Sequence, residues 1–65
     1  MDNIVGRNMV KIRAEKKMSQ QALADAVGTS RPQIAKYELG LQDMTVSRLL
    51  QIAEVLEVEP ARLLK

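Results

Sequence analysis

The sequence predicts an all-α chain, folded as one compact bundle of five short helices. Three observations carry that prediction. Apolar residues recur at helical spacing in successive windows along the chain. Each window opens on a residue suited to cap a helix, or on a proline suited to a first turn. The 65 residues leave room for a single domain, 1–65, whose small core must be packed economically.

Taken in order, Asp2 or Asn3 can cap a first helix that runs to about Lys17. Val5, Met9 and Ile12 fall at i, i+4 and i+7 along it. Gly6 sits early in this helix and weakens it slightly. Met18 precedes a Ser19 cap, at the position of a hydrophobic staple. A second helix follows from Gln20 to Val27, with Leu23, Ala24 and Val27 on its inner face. Gly28 stops it, because glycine takes positive φ without steric cost. Ser30 caps a third helix from Arg31 to about Leu39, and Gln33 completes a Ser-x-x-Gln capping box. Pro32 is tolerated in the first turn, Ile34 and Tyr37 form the apolar stripe, and Gly40 ends the helix. After a loop from Leu41 to Met44, Thr45 caps a fourth helix carrying Val46, Leu49, Leu50, Ala53 and Leu56. It ends near Glu57. Pro60 then opens a short fifth helix holding Leu63 and Leu64.

Composition narrows the function. Apolar content of 46% with 28% charged residues describes a soluble globular protein, neither disordered nor membrane-spanning. No signal peptide is visible, and the absence of cysteine suits a reducing compartment, so a cytoplasmic location is expected. With no histidine, no cysteine and no pocket-sized core, the usual general bases and nucleophiles are missing or unsupported, so neither an enzyme, a metal site nor a cofactor is expected. The net charge of +2 is uneven. Residues 1–38 carry seven Lys/Arg against four Asp/Glu, whereas 39–65 carry three against four. The densest cluster is Arg7, Lys11, Arg13, Lys16 and Lys17. Such a half suits a face laid on a polyanion, although charge alone fits a solvated helix face somewhat better.

The second and third helices, joined by Gly28, Thr29 and Ser30, form a helix-turn-helix unit. Arg31, Pro32, Gln33 and Lys36 lie off the apolar stripe of its second helix, and three of these four can hydrogen-bond base edges or phosphates. The stretches SQQALADAVGTSRPQIAKYELG and TVSRLLQIAEVLEV resemble the phage-repressor and Cro-like helix-turn-helix family, also called the XRE family. The resemblance covers about Val5 to Leu64. It implies a lambda-repressor-like DNA-binding domain that usually acts as a dimer on paired half-sites. The chain departs from the family pattern at Met44, where proline is frequent, and at Glu57, where glycine is frequent. The loop after the third helix also lacks the family's basic residues; its backbone amides are the expected substitute.

The implied reading is a sequence-specific, repressor-like regulator of transcription, a homodimer on a palindromic double-stranded operator. The recognition helix 31–39 would enter the major groove with its N-terminal residues on base edges. There Arg31 can pair bidentately with guanine, Gln33 with adenine, Pro32 can meet a thymine methyl, and Lys36 can reach a base or a phosphate. Gln20 stands where backbone amides and the helix dipole attract a phosphate. Thr29 and Ser30 complete the contact set together with Arg13. By resemblance, Arg13 and Glu38 form a partly buried ion pair tying the first helix to the third. Tyr37 reads as core. The expected dimer surface is Val55, Val58, Pro60, Arg62 and Leu64. The alternative is a protein-interaction module on the same fold, such as an antitoxin docking a toxin, or a domain docking the transcription machinery.

Overall fold

The fold begins at Asn3, whose side-chain oxygen accepts the Gly6 amide at 3.2 Å and caps α1, Ile4–Glu15. The computed structural model describes residues 3–65, so the alternative cap, Asp2, lies outside the described residues. Four further helices follow: α2, Gln20–Val27; α3, Arg31–Leu39; α4, Val46–Leu56; and α5, Pro60–Leu64. Ser19, Ser30 and Thr45 each accept the backbone amide three residues on, capping α2, α3 and α4 as their types and positions predict. Only half of the capping box at α3 forms. Ser30 accepts the Gln33 amide, but among the described residues the Gln33 side chain makes no return bond and stays available.

α3 packs on both α1 and α2, while α4 and α5 close the bundle against α2 and α1 respectively. Met9, Ile12, Leu23, Ala24, Ile34, Tyr37, Ile52, Ala53, Leu56 and Leu63 fill the core. The stripe on α4 differs from the expected one. Val46 and Leu50 are 71% and 49% exposed, whereas Ile52 is buried and Leu49 half-buried. Leu49, Ile52, Ala53 and Leu56 also satisfy helical spacing, so periodicity alone left two overlapping stripes and tertiary packing selected one. On α5, Leu63 enters the core and Leu64 faces out. No helix among the described residues is long and apolar enough to cross a membrane.

The first four helices end in one way. Each places a residue at positive φ (Lys17, Gly28, Gly40, Glu57), and the amide after it bonds back to the carbonyl five residues earlier. The first helix therefore stops at Glu15, short of the expected Lys17, because Lys17 already has φ 55°. Glycine carries this conformation freely at two of the four ends, and a side chain carries it with strain at the other two.

Gly6 has a larger part than a weak helix position. A Cβ there would stand 2.6 Å from the carbonyl oxygens of both Tyr37 and Glu38, so α1 can lie against the end of α3 only through a residue without one. Gly6→Ala is therefore expected to lower stability by about 2 kcal/mol in thermal melts, the overpacking cost outweighing the propensity gained. Equal or higher stability would show that the two helices can separate freely at this crossing. Glu57→Gly should do the reverse, raising stability by about 1 kcal/mol through relief of the left-handed strain. For a chain of this size that is a rise of about 4–8 °C in Tm, and an unchanged Tm would contradict the strain.

Candidate nucleic-acid interface

One face of α3 is buried and the other is open. Ile34, Tyr37 and Glu38 point into the protein, Arg31, Pro32 and Lys36 are exposed, and Gln33 is half-buried. Ser30 at the head of α3 is exposed and Thr29 in the turn is half-buried. The expected contact residues of the turn and of α3 are therefore all at least partly accessible. At the neighbouring helix start, Ser19 caps only the Ala22 amide. That leaves the amides of Gln20 and Gln21 directed out of the N-terminus of α2.

Behind this edge lies a buried polar network centred on Glu38, whose side chain is 4% exposed. Its Oε2 accepts Arg13 Nε at 2.7 Å and its Oε1 accepts Arg13 Nη2 at 3.0 Å. This two-pronged pairing is the geometry that guanidinium and carboxylate match best. Oε1 also accepts Gln20 Nε2 at 2.9 Å. Arg13 Nη1 donates to the Met18 carbonyl at 2.8 Å, fixing the turn that leads into α2. Among the described residues no buried side-chain polar atom lacks a partner. A buried charge pair offsets its desolvation only when further hydrogen bonds support it, and here Gln20 and the Met18 carbonyl supply them.

The network reaches the open face. Gln20 Oε1 accepts Arg31 Nη1 at 3.3 Å, so the carboxamide of Gln20 bridges the buried carboxylate and the exposed guanidinium. Gln20 therefore buttresses α3, and Arg31 emerges already held in one direction. Arg13 is turned inward, with three of its five N–H groups committed inside the protein.

The basic cluster of the first helix does not stay together. Arg13 joins the network, and Lys16 and Lys17 stand exposed just before the Ser19 cap. Lys11 instead lines a shallow cavity between α1 and α5 with Arg62 and Lys65. Sequence adjacency misled here, since residues four apart share a helix face and neighbours do not. In the loop after α3 the Leu41 amide is committed to the Lys36 carbonyl, so it offers no donor. The exposed apolar side chains Leu39 and Leu41 beside it went unread in the sequence.

Of the expected dimer residues, Val55 and Val58 are half-buried against the core and Pro60 is half-buried. Arg62 and Leu64 are exposed, and Arg62 pairs with Glu15 at 2.6 Å.

Comparisons with known proteins agree with this fold. A family model described as helix-turn-helix matches residues 9–63. The chain is 41% identical over 61 residues to y4aM of Sinorhizobium fredii, named an HTH-type transcriptional regulator, covering 94% of this chain and 43% of that protein. The chain spans about half the length of the curated relatives it matches. Among solved structures it is similar to the restriction-modification controller protein C.AhdI from Aeromonas hydrophila. That match has a TM-score of 0.90 at 28% identity, covering 95% of this chain and 96% of the other. It is also similar to the P22 c2 repressor in complex with a synthetic operator, with a TM-score of 0.87 at 29% identity. There the match covers 95% of this chain and 94% of the repressor chain.

The bridge through Gln20 yields a direct test. Gln20→Glu keeps an acceptor for Arg31 but sets a second carboxylate against Glu38 where a donor stood. Stability should fall by about 1–3 kcal/mol in chemical denaturation, the cost of an unmade bond to a buried charge. An unchanged midpoint would mean that the Gln20–Glu38 bond contributes nothing.

Proposed function

The chain belongs to the helix-turn-helix family of the Cro-like, XRE type, and on that premise we propose that it is the operator-reading domain of a transcriptional regulator. It binds double-stranded DNA sequence-specifically, as a repressor-like homodimer on a palindromic site. The observation that carries this reading is the pairing of an open face with a locked one. Arg31, Pro32 and Lys36 are exposed on α3 with Gln33 half-buried between them, while the buried Glu38 is fixed to α1 and α2. A helix fixed in this way reorients little on binding, which favours a preformed reading edge.

α3 enters the major groove with its N-terminal turn leading. Arg31 pairs with guanine O6 and N7, and the uncommitted Gln33 carboxamide pairs with adenine N6 and N7. Pro32 lies against a thymine methyl, and Lys36 takes a base or a phosphate one turn along. Gln20, with the free amides at the start of α2, receives a phosphate; Thr29 and Ser30 add hydroxyl contacts, and Arg13, though turned inward, keeps two N–H groups that can take a phosphate. In the loop after α3 the amides of Gln42 and Asp43 take the place of basic side chains. The dimer forms through the end of α4 and through α5, with Val55, Val58, Pro60, Arg62 and Leu64. Its two recognition helices stand about 34 Å apart, one turn of DNA. A cytoplasmic location follows from this reading. The family is one of DNA-binding regulators and not of enzymes, and the protein-docking alternative is not favoured.

Selection from a randomised duplex library tests the proposal. An inverted repeat with half-sites about 10 bp apart should emerge, bound at least about 10³-fold more tightly than unrelated DNA. Weak binding that vanishes in salt, with no enriched sequence, would refute it. On the selected site Arg31→Ala should cost about 1–3 kcal/mol and relax preference at one base pair. An equal loss on every sequence would reduce Arg31 to a phosphate contact.

A further inference from the structure

α3 is held at its C-terminal end by a residue that belongs to the start of α1. The side chain of Asn3 divides its two functions. Its oxygen accepts the Gly6 amide and caps α1, while its Nδ2 donates to the Glu38 carbonyl at 2.7 Å. That carbonyl is among the last four of α3, which have no partner within the helix. Two glycines make the contact possible. A Cβ on Gly40 would stand 2.9 Å from Asn3 Cγ, and a Cβ on Gly6 would strike both the Asn3 amide nitrogen and the end of α3. Glu38 is thereby gripped twice, through its carboxylate by Arg13 and Gln20 and through its carbonyl by Asn3.

We infer that Asn3 is a positioning residue for DNA reading, one that sets the C-terminal turn of α3 and hence Lys36 without itself touching DNA. The inference rests on the DNA-reading function proposed above. Any substitution of Asn3 risks removing the α1 cap as well, so two variants that keep the cap isolate the donor. Asn3→Ser retains an oxygen for the Gly6 amide but is too short to reach Glu38. Asn3→Asp retains that oxygen and the reach but presents an acceptor to an acceptor.

Amide hydrogen exchange on the free protein provides the first measurement. In both variants exchange at Gly40 and Leu41, whose amides close the end of α3, should quicken by about two- to tenfold, one hydrogen bond's worth, with Gly6 as protected as in wild type. Binding to a selected operator provides the second. Affinity should fall by a similar factor, about two- to tenfold, in both variants while affinity for unrelated DNA stays at the wild-type value. Unchanged exchange at Gly40 and Leu41 would overturn the clamp. Unchanged operator affinity, or an equal loss on operator and unrelated DNA, would overturn the positioning role. Failure of the wild-type chain to prefer any sequence would instead strike the DNA reading itself, and it would be seen before any variant is compared.

Discussion

A carboxylate buried to 4% exposure decides how this small bundle is assembled. Glu38 cannot sit in the interior uncompensated, so α1 must supply Arg13 and α2 must supply Gln20 at the distances its two oxygens dictate. An apolar contact would tolerate sliding between helices; a two-pronged ion pair does not. Three helices are therefore fixed to one another by a polar contact whose replacement by apolar residues would cost little in stability. What the pair provides is a single orientation of α3, which the proposed reading of base edges requires.

The same constraint explains why the outer face needs so few residues. Arg31 leans on Gln20, which leans on Glu38, and the geometry of the interior is thereby transmitted to the edge through hydrogen bonds. Gly6 allows α1 to approach the end of α3, and Asn3 occupies the gap left by Gly40. With so small a core, such close backbone approaches replace the bulk that larger domains obtain from aromatic packing.

Much of this was legible in the sequence because it rests on local chemistry. The caps at Ser19, Ser30 and Thr45, and the stops at Gly28 and Gly40, follow from residue type and position. The pairing of Arg13 with Glu38 was expected from family resemblance, and nothing in the spacing of two residues 25 apart would have given it. What escaped were features set by neighbours in space. Lys17 and Glu57 adopt a glycine-like conformation that their types do not announce, because the chain must turn there whatever residue it carries. Ile52 rather than Leu50 enters the core because α4 is rolled by its contacts with α2 and α5. Gly6 did give a signal: a glycine in the first turns of a helix costs stability, and close approach of another backbone is a frequent reason to keep one.

If the Arg13–Glu38 pair orients α3 for DNA, a double-mutant cycle on Arg13→Ala and Glu38→Ala, read on operator binding and on stability, shows it most directly. Each single variant leaves one buried charge unpaired, whereas the double variant leaves none. The pair predicts a stability coupling of more than about 1.5 kcal/mol, with the double variant little worse than either single one. Operator affinity in the double variant should nevertheless stay as low as in the weaker single variant, since the clamp is still missing. Additive losses in stability, or operator affinity restored together with stability, would contradict the account.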